Sequence, residues 1–171
     1  MLLTLLGLGQ AASAQKIAVK TNALYWLTTT INGGAEIALR PHSTLDLSGA
    51  YNPWNFSGGE KIHFWLAQPE YRYWFCEKFE GHFMGIHAHG GQFFAALDDK
   101  RYDGNFVGGG LSYGFDWILS PHWNIETTIG VGYAYIWYKE GPWLPCIKCQ
   151  ENKYKHYIGP TKIGVTFTYL F

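Results

Sequence analysis

Residues 31–40 read Ile-Asn-Gly-Gly-Ala-Glu-Ile-Ala-Leu-Arg, and they alternate between two kinds of side chain. The odd positions carry Ile, Gly, Ala, Ile and Leu, whereas the even positions carry Asn, Gly, Glu, Ala and Arg. A period of two residues is typical of a β-strand whose two faces meet different surroundings. The stretch therefore predicts a strand with one apolar face and one more polar face.

The same alternation recurs along the rest of the chain. Seven further segments show it, at 16–24, 45–52, 65–75, 82–94, 105–119, 124–137 and 162–171. The first of them is the weakest, because its pattern fades near Tyr25. Together with 31–40, these segments predict eight strands in a chain of 171 residues.

The connections between these segments alternate in length. Short, turn-like stretches fall at 41–43, 76–80 and 120–122, and longer polar stretches fall at 53–61, 95–104 and 139–155. Short turns at one end and long loops at the other are typical of up-and-down barrels in bacterial outer membranes. Strands of about 9–11 residues are long enough to cross the hydrocarbon when they are tilted.

The composition indicates which face points outward. Aromatic residues make up 18% of the chain and charged residues only 15%, against about 25% charged in soluble domains. The apolar face carries most of the Trp, Tyr and Phe, which is more than a narrow eight-stranded lumen can hold. We therefore predict an all-β fold, an eight-stranded antiparallel up-and-down transmembrane β-barrel of the outer-membrane type, with outer-membrane lipid around it.

The two ends of the sequence favour export. Residues 1–8 are apolar and are followed by Ala12-Ser13-Ala14, which predicts a signal peptide over 1–14 and a single barrel domain over 15–171. The alternating apolar residues that end at Phe171 resemble the terminal signal of outer-membrane barrels. The chain has 13 Lys and Arg residues and 13 Asp and Glu residues. Because its formal net charge is zero, its charge does not indicate a nucleic-acid partner.

Polar residues on the inward face form the first candidate site. They are Glu36, Arg40, Asp46, Glu70, Arg72, His87, His89, Asp116, Glu126 and Lys162. Buried charges must be compensated, so we predict an internal network of ion pairs and hydrogen bonds that plugs the lumen. The histidines are expected to bond to Glu70 or Asp116.

The spacing of His87 and His89 on one strand leaves two alternatives. Two inward histidines and a carboxylate can hold a metal ion, and they can also serve an acyl-transfer site with Ser112 as nucleophile. Enzymes of this kind act on lipid near the rim, whereas these histidines face the lumen. We therefore expect no catalytic residue, no metal site and no cofactor.

The predicted outer loops carry a second candidate site. Trp54, Phe56 and Trp143 fall in loops where no lipid accounts for them, so they predict a binding platform. In the longest loop, the spacing of Cys146 and Cys149 favours a local disulfide, because a chain exported from the cell meets oxidising conditions. Cys76 is expected at the opposite end of the barrel, beyond disulfide reach.

Five separated motifs together resemble a domain-of-unknown-function family of small outer-membrane barrels from Bacteroides-like bacteria. They are KTNAL at 20–24, TTTIN at 28–32, QPEYRYW at 68–74, GHF at 81–83 with GIHAH at 85–89, and GPTK at 159–162. The genes of that family often accompany fimbria and envelope genes, so the resemblance implies an envelope role. It implies no known reaction.

These expectations lead to three functional hypotheses. The first is a non-enzymatic surface scaffold, or accessory component of an envelope assembly, that binds a protein partner through its loops. The second is a barrel enzyme that modifies outer-leaflet lipid. The third is a narrow channel or small-ligand barrel, which an unpaired lumen charge or a continuous void would favour.

Overall fold

The computed structural model describes residues 16–53, 61–97, 100–142 and 151–171. Its elements are β1 Ile17–Asn22, α1 Ala23–Leu27, β2 Ile31–Arg40, β3 Ser43–Asn52, β4 Lys61–Trp74, β5 Gly81–Leu97, β6 Lys100–Ile118, β7 Trp123–Pro142 and β8 Glu151–Leu170. No helix within these ranges is long and apolar enough to cross a membrane.

The eight strands form one closed antiparallel sheet. Each strand pairs with its neighbour in sequence, and the ring closes where β1 pairs with β8 from Ala18 opposite Leu170 to Asn22 opposite Thr166. The predicted all-β fold of eight antiparallel strands in a closed barrel is confirmed. The turns at 41–42, 75–80 and 119–122 lie at one end, with the start of β1 and Phe171; we call this the turn end, and the opposite end the loop end.

Small residues allow the inward side chains to fit inside the ring. Gly110 and Gly132 lie opposite each other in the pairing of β6 with β7. A Cβ at Gly110 would lie 2.3 Å from the carbonyl oxygen of Val131, and one at Gly132 would lie 2.3 Å from that of Gly109. Neither position has room for a side chain, which explains the small residues on the inward face of β6 and β7.

The strands β5 to β8 extend further toward the loop end than the sequence predicts. Residues 95–97, 100–104, 139–142 and 151–155 belong to strands, so the predicted extents of the loops at 95–104 and 139–155 are wrong. Their charged residues led to the loop assignment, but strand pairing continues there, as between Asp103 and Lys139. Lys153 and Glu140 form an ion pair at 2.6 Å on this extension.

On the opposite side of the ring, the strands β1–β3 extend less far toward the loop end. The segment predicted as a strand over 16–24 ends at Asn22, whose side chain accepts a hydrogen bond from the backbone N–H of Leu24 at 3.0 Å. This N-cap starts the one-turn helix α1 in place of further strand. The barrel therefore has a tall wall, β5–β8, and a short wall, β1–β3.

Candidate functional site

An aromatic cluster fills the lumen at the turn end. Trp74 and Phe83 are fully buried, with their ring centroids 4.8 Å apart, and Phe79 packs against Trp74 at 6.0 Å. Phe79 lies in the turn after β4 with a φ of 65°, and its carbonyl accepts a hydrogen bond from the Asn124 amide at 2.8 Å. Since Ala18 and Leu170 pack with these rings, the turn end of the lumen is closed.

Arg72 lies directly above this cluster and is the centre of an ion-pair network. Its Nη1 lies 3.0 Å from Glu36 and 2.7 Å from Glu126, and its Nη2 lies 2.9 Å from Asp46 and 3.4 Å from Glu70. Each of these side chains is at most 4% exposed. The guanidinium also lies 4.5 Å from the centre of the Phe83 ring, which ties the network to the aromatic cluster.

Two lysines complete the network. Lys20 on β1 lies 2.5 Å from both Glu36 and Glu126. Lys162 on β8 forms ion pairs with Glu70 and, at 3.6 Å, with Asp46. Three cations thus meet four carboxylates, Glu36, Asp46, Glu70 and Glu126, which leaves a formal charge of −1 on this set.

The structure brings together six of the residues that the sequence indicated for the lumen. They are Glu36, Asp46, Glu70, Arg72, Glu126 and Lys162. Arg40 does not join them and is exposed, because the register of β2 against β3 shifts between Ala38 and Arg40. The strict alternation expected over 31–40 breaks at this irregularity. Lys20 is not among the residues predicted from the sequence, although its place two residues from Ala18 and Asn22 on β1 gives it the same inward face.

His87, one of the two inward histidines, makes a contact other than the one expected. His87 Nε2 lies 2.9 Å from Thr161 Oγ1, and the two imidazole rings lie 5.7 Å apart, centre to centre. Ser112 donates its hydroxyl hydrogen to Glu70 rather than to a histidine. Within the described ranges, no three His, Cys, Asp or Glu side chains are grouped so as to hold a metal ion.

The comparison with known families gives one match. A family model described as a protein of unknown function (DUF3575) matches residues 1–171. The chain belongs to this family. Membership of DUF3575 confirms the prediction of an uncharacterised domain family and assigns no reaction. No curated protein matches the sequence.

One lumen carboxylate of this DUF3575 barrel stands apart from the network. Asp116 is 2% exposed, and neither of its oxygens has a hydrogen-bond partner among the described residues. It lies opposite Glu126 in the pairing of β6 with β7. Since a second carboxylate is no counter-ion, Asp116 is not compensated as the other inward acids are.

The remaining candidates from the sequence lie in other places. Cys76 is exposed in the turn after β4 and carries a free thiol. The residues of the proposed loop platform, Trp54, Phe56 and Trp143, and of the proposed disulfide, Cys146 and Cys149, lie outside the described residues.

Proposed function

We propose that this protein is an integral outer-membrane β-barrel and a non-enzymatic scaffold or accessory component of an envelope assembly. Its outward surface carries the proposal. The outward positions of the strands within 31–39, 45–51, 65–73, 82–92, 105–117, 123–137 and 163–171 include no Asp, Glu, Lys or Arg. Many of these side chains are large, apolar and about half exposed, such as Leu111, Ile129 and Val131. Such an area is far larger than the apolar patches of soluble monomers, whereas it suits contact with lipid.

The spacing of aromatic residues on β7 supports the membrane location. Trp123 and Tyr133 both point outward, and only Ile, Thr, Ile and Val lie between them on that face. At about 3.4 Å per residue and a tilt of about 40°, this step corresponds to ~26 Å of height. Outer-membrane barrels have an apolar band of about 25 Å between two aromatic girdles.

Closure of the lumen at the turn end favours a scaffold over a diffusion pore. The aromatic cluster and the Arg72 network fill the section near the turn end with side chains that are almost fully buried. Ser112 is 4% exposed and bound to Glu70, so it is not the rim-facing nucleophile that a lipid-modifying enzyme needs. We propose that any protein partner meets the barrel at the loop end, where fimbria or other envelope components would be accessible.

A conductance measurement tests the closed lumen. We expect the purified full chain, inserted into a planar lipid bilayer, to produce no steady ohmic current, because the Arg72 network and the aromatic cluster block the path. The protein is delivered to the bilayer by fusion of vesicles, and its compact, heat-modifiable form on gels of those vesicles is the control for insertion. Regular current steps from protein verified in this way would contradict the scaffold and favour the channel.

A further inference from the structure

A cavity of about 800 Å³ lies in the lumen on the loop side of the ion-pair network. Its floor is polar and is formed by Lys20, Asp46, Arg72, Glu126 and Lys162. This volume is within the range of small-molecule sites, about 300–1,000 Å³. The cavity is therefore large enough for an organic ligand, and its base is charged.

The walls that β4 and α1 form above this floor are apolar. On β4 the inward positions change in character, from Gln68, which also lines the cavity, to Leu66, Phe64 and Ile62 toward the loop end. Leu24 of α1 lines the same space from the other side. A cavity with a charged floor and apolar walls is complementary to an amphiphile whose head points toward the turn end.

Because β1 is short, part of β8 has no strand partner on the β1 side. Pairing of β1 with β8 ends at Asn22, whose amide donates to the carbonyl of Ile163 at 3.1 Å and accepts from the N–H of Val165 at 3.2 Å. Beyond this point β8 continues to Glu151, paired with β7 alone.

Residues on both borders of this gap line the cavity. Pro160 and Ile163 contribute from β8, and Leu24 and Leu27 contribute from α1. Leu27 is 82% exposed and Ile163 is 65% exposed. The cavity is therefore lined by exposed residues on both borders of this gap between α1 and β8.

The floor favours a head that donates hydrogen bonds. Asp46 is 2% exposed; its Oδ2 lies 2.9 Å from Arg72, but its Oδ1 has no hydrogen-bond partner among the described residues. Nε of Arg72 also has no acceptor there. Asp46 Oδ1 could accept a hydrogen bond from a ligand head, and Arg72 Nε could donate one to it. The network has one more carboxylate than it has cations, and this formal charge of −1 attracts a cationic head and repels an anionic one.

We propose that this cavity binds a single-chain amphiphile with an ammonium head, which enters sideways between α1 and β8. The head lies against Asp46, and the chain lies along Phe64 and Leu66. The binding site itself depends only on the barrel, whereas entry from lipid rests on the proposed membrane location.

Photo-crosslinking of the full chain in lipid nanodiscs tests this proposal. The probe is a 12-carbon alkylamine with a diazirine in its chain, and mass spectrometry of peptides locates the adducts. We expect adducts on residues 62–66 and 24–27, and we expect dodecylamine to compete about tenfold better than dodecanoic acid, because an ammonium forms a charge-assisted bond with Asp46. If dodecylamine and dodecanoic acid competed equally well, the proposed preference for an ammonium head would be wrong.

Two pairs of variants distinguish labelling in the cavity from labelling by probe that is dissolved in the lipid. Ala50→Trp fills the cavity from β3 and should abolish adducts at 62–66, whereas Ala35→Trp on the outward face of β2 should leave them unchanged. Asp46→Asn should remove the preference for the amine, whereas Asp103→Asn on the outer surface should keep it. Adducts that persist at 62–66 in Ala50→Trp would overturn the site.

Insertion into nanodiscs is checked by the heat-modifiable gel shift. This check distinguishes a failure of the proposed amphiphile site from a failure of the proposed membrane location. An inserted barrel without cavity adducts contradicts the amphiphile site and leaves the membrane location standing. A chain that does not insert contradicts the membrane location, and the same competition with protein held in amphipol then decides whether the cavity binds the amine.

Discussion

Replacing Arg72 by Met is expected to lower the free energy of unfolding by about 3–5 kcal/mol. The guanidinium contacts four buried carboxylates, and without it only Lys20 and Lys162 remain to compensate them. Methionine keeps most of the volume, so the loss measures mainly the uncompensated charge. Urea unfolding in lipid vesicles, followed by tryptophan fluorescence and by gel mobility, gives the difference.

Asp116→Asn is the matched control for this experiment. It also replaces one buried ionisable side chain of the lumen, but Asp116 has no hydrogen-bonding partner among the described residues. We expect its free energy of unfolding to stay within about 1 kcal/mol of the unsubstituted protein, or to rise. An equal, large loss in both variants would mean that any polar change in the lumen destabilises the barrel, and that Arg72 has no special role.

Ile129→Arg is expected to cost about 2–4 kcal/mol, because it places a charge on the outward face of β7 near the middle of the apolar band. Ile129 is 57% exposed and lies between Trp123 and Tyr133, the outward aromatic residues that bound the band. In water, a surface change of this kind alters stability by only about 0.5 kcal/mol. The same unfolding measurement in vesicles therefore distinguishes lipid from water around this residue.

Asn105→Arg is the control for depth. Asn105 points outward on β6, opposite Trp137 in the pairing with β7, near the loop end of the band. The cost of an arginine decreases toward the interface, so we expect about 0–1 kcal/mol at this position. Equal small costs at Ile129 and Asn105 would contradict a lipid-facing band.

The strands could be predicted because the rule behind them is local. A period of two residues assigns each side chain to a face, and 31–40 and 124–137 show that period without help from the rest of the chain. The rule failed where the surroundings change along a strand. Beyond the apolar band, residues such as Asp103 and Lys153 lie in strands but carry charges. From the sequence alone, such charged stretches are predicted to be loops.

The sequence could predict which residues of the candidate site point inward. It could not predict which of these residues contact each other. Alternation placed Glu36, Glu70 and Arg72 on the inward face, but the stagger of the strands decides which of them meet. A register shift removed Arg40 from the set, and no local pattern marks it. The gap beside the cavity was missed because it depends on the early end of β1 at Asn22, which only the pairing with β8 makes visible.

Contact between the outward face and lipid is the central claim, and spin labelling along β7 tests it most directly. The three native cysteines are replaced by serine, and single cysteines at positions 123 to 137 are spin-labelled in protein reconstituted into vesicles. Collisions with oxygen, which concentrates in hydrocarbon, are compared with collisions with a water-soluble nickel complex. We expect oxygen to dominate at 125, 127, 129, 131 and 133, with its maximum near 129, and the nickel complex to gain toward 123 and 137. Outward positions that collide more with the nickel complex than with oxygen along the whole strand would contradict the membrane barrel.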